Sequence, residues 1–118
     1  LREYLFGSGK DTYKCAICHK SFPTDLLHAA HIKKRQNCLE NERLDKNIVM
    51  PLCIFGCDSL FEKGYLLVNN EGLVELNQNK KITKKVDSYI SKLKGNKCIY
   101  FNEKSFSYFH HRYSMNSK

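Results

Sequence analysis

The chain has 118 residues, with 20 Lys and Arg against 12 Asp and Glu, a net charge of +8 and 42% hydrophobic residues. That length holds one domain with one modest core, and no apolar run approaches the roughly 18 residues that a membrane-spanning helix needs. The positive excess suits a polyanionic partner, because each neutralised phosphate releases counterions, and the basic residues cluster in Lys33-Lys34-Arg35, Lys80-Lys81 and Lys84-Lys85.

Residue 1 is Leu rather than Met, so a longer polypeptide with a fused upstream region is expected. Leu1-Arg2-Glu3-Tyr4 carries charge and precedes no apolar run, so no signal peptide is expected. With no sign of secretion, the six cysteines point to a reducing, cytoplasmic compartment. Residues 1–13 read as a lead-in with a flexible joint at Gly7-Ser8-Gly9, and residues 14–118 as the domain proper.

Cys15-Ala16-Ile17-Cys18 reads as a knuckle, a tight turn aiming two thiols the same way, and Pro23-Thr24-Asp25 marks a second turn. The apolar stretch 26–32, with His28 and His31 embedded, predicts a strand. Residues 33–46 are polar and read as a surface loop. Residues 47–53 are β-branched and apolar and predict the partner strand, with Pro51 tolerable at a ribbon edge. A short helix is predicted over 57–63, with Gly64 placed to end it. Residues 65–68 and 72–76 predict a hairpin turning at Asn69-Asn70-Glu71-Gly72. Val86, Ile90 and Leu93 repeat at helical spacing and predict a basic helix over 83–94. The aromatic tail runs to His110-His111-Arg112-Tyr113 without a predicted element.

Two residues separate Cys15 from Cys18, and three separate Cys53 from Cys57. Two chelating pairs far apart in sequence predict a structural zinc ion held by four thiolates, a preferred donor set for Zn²⁺. Such a staple suits a small domain with long polar loops. The rival grouping of Cys15, Cys18, His28 and His31 as a Cys₂His₂ finger has nine residues between the pairs and two between the histidines. That finger calls for about 12 and 3–5, and it would leave Cys53 and Cys57 without a partner.

Three segments taken together, Ala29-Ala30-His31-Ile32, Asn47 within Leu44-Asp45-Lys46-Asn47-Ile48, and Cys57 through Leu60-Phe61-Glu62-Lys63-Gly64, resemble the HNH endonuclease family. The likeness is to the branch found in bacterial restriction-type enzymes, where a His-Arg pair also stands near the C-terminus, as His111-Arg112 does here. The resemblance spans residues 13–113. It implies an α+β fold with a ββα-metal core: a ribbon of 26–32 and 47–53 followed by the 57–63 helix, with the four-cysteine zinc site, a hairpin and a C-terminal helix added. It also implies a metal-dependent DNA endonuclease of a restriction or defence system.

Phosphodiester hydrolysis needs a base to activate water and positive charge on the departing oxygen. An imidazole titrating near neutrality can take the proton, the role implied for His31, although a histidine in an apolar stretch can equally be a satisfied core residue. One Mg²⁺ or Mn²⁺ ion would act as Lewis acid. The resemblance puts Asp58 where the family has a His or Asn ligand, and a carboxylate suits these hard ions; a helix cap is the other reading of Asp58. Many relatives place a second ligand directly before the base, where this chain has Ala30, so His28 and His111 are the candidates. Asn47 is implied to orient the loop carrying the base. For double-stranded DNA, Lys33, Lys34, Arg35, Lys84, Lys85 and Arg112 are the candidate phosphate contacts, with Lys92 and Lys94 further along the same basic helix. A double-strand break at a palindrome calls for two copies, hence a dimer. A non-catalytic zinc DNA-binding module and a zinc-stabilised protein-interaction domain stand as alternatives, the latter disfavoured by the basic charge.

Overall fold

A computed structural model describes residues 1–116, so the last two positions of the 14–118 domain lie outside the described residues. The architecture is a small α+β fold in which each sheet is a two-stranded antiparallel hairpin. In chain order the elements are α1 (Arg2–Phe6), β1 (Thr12–Lys14), β2 (Ser21–Pro23), β3 (Leu27–His31), α2 (Glu40–Arg43), β4 (Val49–Cys53), α3 (Cys57–Glu62), β5 (Leu66–Val68), β6 (Val74–Leu76), α4 (Lys84–Ser91) and α5 (Phe106–Asn116). None of these helices is long and apolar enough to cross a membrane.

The central ribbon pairs β3 with β4 from Leu27↔Cys53 to His31↔Val49. Flanking bonds from Ile32 N to Ile48 O and from Ile54 N to Leu26 O fix the alternation of bonded pairs. Ala29↔Pro51 therefore falls on a non-hydrogen-bonded pair, where the absent N–H of Pro51 faces away from β3. That outer edge of β4 is used by the knuckle: Ala16 N donates to Pro51 O at 2.8 Å. Every residue of β4 is buried, and α3 follows it and packs on the ribbon through Phe61, 1% exposed. Burying a side chain of that size contributes about 1.5–3 kcal/mol.

The hairpin turn forms as its residues dictate. Asn69 Oδ1 accepts from Glu71 N and Leu73 N, and Gly72 takes φ +82°, a left-handed conformation open to glycine. Gly64, at φ +79°, ends α3 in the predicted place.

Three segments are more ordered than their sequences suggest. The lead-in contains α1, whose buried Leu5 sits in the core and whose Arg2 donates to Leu27 O and Thr24 O, and it also contains most of β1. The 33–46 loop holds a 3₁₀ turn at Arg35–Asn37 and an α-helical turn, α2, started by Glu42 Oε1 accepting from Leu39 N. The aromatic tail forms α5, with Ser105, Tyr108, Phe109 and Arg112 buried at helical spacing. Two of those four are polar, so apolar periodicity understates the helix. In the other direction, the basic helix is shorter than predicted, α4 ending at Ser91 within 83–94.

Candidate functional site

The two ends of the β3–β4 ribbon carry the two groups of candidate residues. At one end, Cys15 and Cys18 of the knuckle meet Cys53 at the close of β4 and Cys57 at the start of α3. The four Sγ atoms all lie within 4.8 Å of one another. In a tetrahedral zinc site with Zn–S of about 2.3 Å the sulfurs stand about 3.8 Å apart, so these thiols are within a side-chain adjustment of that geometry. The cluster can hold a metal ion such as zinc.

The knuckle is built for this convergence. Cys15 N donates to Lys20 O, His19 N donates to Cys15 O, and His19 adopts φ +65° to turn the chain. Cys53 N points at Cys15 Sγ from 3.4 Å, and Ile99 N and Asn96 Nδ2 donate to the knuckle carbonyls of Ala16 and Ile17. Packed this closely, the thiols cannot ionise independently. Hydrogen bonds from its three neighbours hold Cys53 far below the ordinary thiol range, and Cys15 comes down to about 6, chiefly through Cys18; Cys18 and Cys57 are pushed up by the same contacts. A cation removes that conflict by favouring the thiolate at all four. The remaining cysteines stand apart: Cys38 Sγ donates to backbone carbonyls of Lys33 and Lys34, and buried Cys98 is pushed up to about 12 by desolvation.

Tyr89, on α4, also belongs to this end and has no signal in the local sequence. Its Oη lies 3.3 Å from Cys57 Sγ and 3.8 Å from Cys53 Sγ. The tyrosine ring crosses Gly56 so closely that a Cβ there would sit 2.5 Å from a ring carbon.

At the other end of the ribbon, His31 opens into a groove of about 440 Å³ lined also by His28, Arg35 and Arg43. Desolvation, and then the charge of Arg35, lowers the His31 pKa below 6.5, with Glu62 acting in the opposite sense. The ring is therefore a neutral imidazole at neutral pH, with a lone pair available.

His31 is held from behind by Arg112 of α5. That guanidinium donates through Nη2 to His31 O and through Nε to Ile32 O, both at 2.8 Å. It also stacks 4.6 Å over the Phe61 ring and approaches Glu62 Oε2 at 3.5 Å. Arg112 is 4% exposed and its Nη1 has no partner, so its fork is engaged inside the protein rather than displayed as the phosphate contact its sequence position suggests.

The other candidates distribute as follows. Asp58 is in the first turn of α3, but Gly56 holds the cap position and no side chain caps this helix. Burial raises the Asp58 pKa, the charge of His28 opposes that rise, and Glu62 adds to it. Among the described residues, no three His, Cys, Asp or Glu side chains other than the four cysteines gather within metal-binding reach. His111 does not join His31; it lines a separate cleft of about 170 Å³ with Lys34 and Arg112. The Asn47 side chain donates to Asp45 Oδ1, and Asp45 Oδ2 accepts from Tyr108 Oη at 2.6 Å, so Asn47 ties the start of β4 toward α5. Lys33 is paired with Glu42 at 2.9 Å, while Arg35, Lys84 and Lys85 are exposed. Glu62, which the spacing alone did not single out as functional, faces both His31 and Asp58 electrostatically.

Compared with known proteins, the chain matches no family model and no curated protein.

Proposed function

We propose that the chain is a metal-dependent DNA endonuclease of the HNH type, with His31 as general base and a structural zinc ion at the four cysteines. The observation that carries this reading is the His31 end of the ribbon. A half-buried imidazole, kept neutral by its surroundings, opens into a groove where Arg35 and Arg43 supply positive charge and no carboxylate intrudes. Such a groove suits a phosphodiester, whose charge the arginines neutralise while the imidazole takes a proton from water. The β3–β4 ribbon followed by α3 gives the element order that a ββα-metal core requires.

His31 is brought to its position by its own backbone carbonyl, which Arg112 anchors, so the base is fixed from the protein interior. Lys34 and His111, in the adjoining cleft, would extend the contact along the phosphate backbone. Asp58 would hold a Mg²⁺ or Mn²⁺ ion, with His28 or Glu62, whose charges act on its carboxyl, as the candidate second ligand; hard ions of this kind keep several waters, so one or two protein ligands suffice. When bound, that ion would supply Lewis-acid stabilisation of the leaving oxygen.

A plasmid cleavage assay tests the reading. Native protein with Mg²⁺ or Mn²⁺ is expected to cut, with a rate that rises with pH through an apparent pKa below 6.5, because the base works in its neutral form and its pKa is depressed. His31→Ala should lose at least about a hundredfold, the usual weight of a general base. Equal cleavage by the variant, or none by the native protein with either ion, rejects catalysis at His31.

A non-catalytic zinc DNA-binding module is the second reading. It is favoured by the lack of gathered hard-metal ligands beside His31, and by Ala30 at the position directly before it. Salt-sensitive duplex binding without cleavage is its signature.

A further inference from the structure

Beside the thiol cluster lies a groove of about 450 Å³ that shares no lining residue with the His31 groove. Its walls come from three elements: Lys20 and Phe22 from the knuckle hairpin, Phe55 from the turn between β4 and α3, and Lys85, Tyr89 and Lys92 from α4 and the turn after it. Phe22 and Phe55 stack with ring centroids 5.4 Å apart and planes 25° from parallel. Phe55 is nevertheless 62% exposed, so much of its ring is free for a further partner.

The charge of the groove is one-sided. No carboxylate lines it, and Lys20, Lys85 and Lys92 are exposed and make no ion pair among the described residues. One wall of the groove is tied to the thiol cluster. Cys18 and Cys53 form one end of the groove, and Tyr89 is braced between Gly56 and the thiols, so the Tyr89 ring is positioned by the same residues that would bind zinc.

An exposed apolar ring alone needs no explanation, and neither do surface lysines. Their combination is more restrictive. A purely apolar partner gives the lysines nothing to neutralise, and an acidic peptide has no use for a stacked aromatic pair. A nucleotide strand carries both features at adjacent positions, a flat base and a phosphate. Stacking on an exposed ring requires a base whose face is free, and in a duplex interior both faces are covered.

We propose that this groove binds an unpaired stretch of nucleic acid, with a base stacked on Phe55 and flanking phosphates against Lys85, Lys92 and Lys20. The strand can be DNA or RNA, since both present the same base face and phosphate. This binding is separate from cleavage and does not depend on His31.

The test uses the whole zinc-loaded chain without Mg²⁺ or Mn²⁺, and reads fluorescence anisotropy with labelled single strands of about ten nucleotides, within the usual site size for one module. The arms are single-stranded DNA, single-stranded RNA, a blunt DNA duplex of the same length, and polyglutamate. At least one single strand should bind more tightly than polyglutamate, the tighter of the two identifying the sugar, while the blunt duplex, which the His31 groove can hold, should keep its affinity in Phe55→Ala. Phe55→Ala should weaken the single-strand binding about tenfold while Phe55→Tyr keeps it, as expected for one lost stacking contact. The double variant Lys85→Ala and Lys92→Ala, on side chains directed to solvent, should lower the salt slope by about 0.7 for each lysine lost. A fluorescent adenine analogue in the strand should be quenched by native protein and not by Phe55→Ala. Equal binding of polyglutamate, an equal loss of duplex affinity in Phe55→Ala, or an unchanged affinity and salt slope in both sets of variants, overturns the assignment.

Discussion

The β3–β4 ribbon is only five residue pairs long, yet its two ends are organised in opposite ways. At the Leu27↔Cys53 end, four thiols drawn from the knuckle, the end of β4 and the start of α3 converge on one point. At the His31↔Val49 end, the imidazole faces an open cationic groove, and a different residue, Arg112, holds its backbone carbonyl. The first end is convergent, each thiol set against three others. The second is open, and much of its order depends on one buried side chain that arrives from 81 residues away in sequence. Convergence and access are thus divided between the ends of one ribbon, and the accessible histidine keeps a backbone carbonyl anchored to the interior.

The comparison can be broken most severely at the thiol end. Cys53→Ser should release zinc and abolish the cooperative fold, since a structural zinc ion contributes about 10–16 kcal/mol of apparent binding free energy to folding at neutral pH. Metal analysis and a thermal melt check this; a variant that loses zinc and still melts cooperatively at the native temperature would show that the cysteines are not the staple.

At the histidine end the expected losses are smaller. Arg112→Ala leaves the carbonyls of His31 and Ile32 without their buried donor and should cost about 3 kcal/mol, the scale of leaving such groups unpaired. Arg112→Lys keeps the charge but lacks the planar fork that spans the two carbonyls and stacks on Phe61, so it should recover only part of that loss. Urea denaturation measures both, and an Arg112→Ala midpoint equal to that of the native protein would remove Arg112 from the account of how His31 is held.

The smallest effect lies further back, in the link from β4 to α5. Tyr108→Phe removes the hydroxyl that donates to Asp45 Oδ2, at a cost of about 1–2 kcal/mol near neutrality. The hydrogen bond from Tyr108 is the largest cause holding the Asp45 pKa below its ordinary 3.8. Stability from this ionised carboxylate is present above pH 3.8 and is lost as pH falls through the lowered folded-state value. The difference between native and variant proteins should therefore shrink on acidification, and urea midpoints at neutral and strongly acidic pH would sharpen or refute the link.

The sequence by itself determined the features whose geometry is local. The spacing of Cys15 with Cys18 and of Cys53 with Cys57 is enough to specify two chelating pairs, because a tight turn leaves two nearby thiols few directions in which to point. Gly64 ends α3 and Asn69 through Gly72 turn the hairpin for the same kind of reason, a backbone conformation that few residue types favour. Apolar runs likewise marked both strands of the central ribbon.

Tertiary structure decided everything that depends on distant partners. Arg112 reads in sequence as a free basic side chain, and its burial follows only from the packing of α5 against Phe61 and the end of β3. Tyr89 reaches the thiols across 32 residues, and Phe22 meets Phe55 across two elements joined by the four-cysteine cluster. The helix carrying Arg112 was hidden because the buried face it continues from Ser105 includes two polar residues, Ser105 bonded to the nearby Tyr100 carbonyl and Arg112 to the distant carbonyls of His31 and Ile32, which leave no trace in local hydrophobicity.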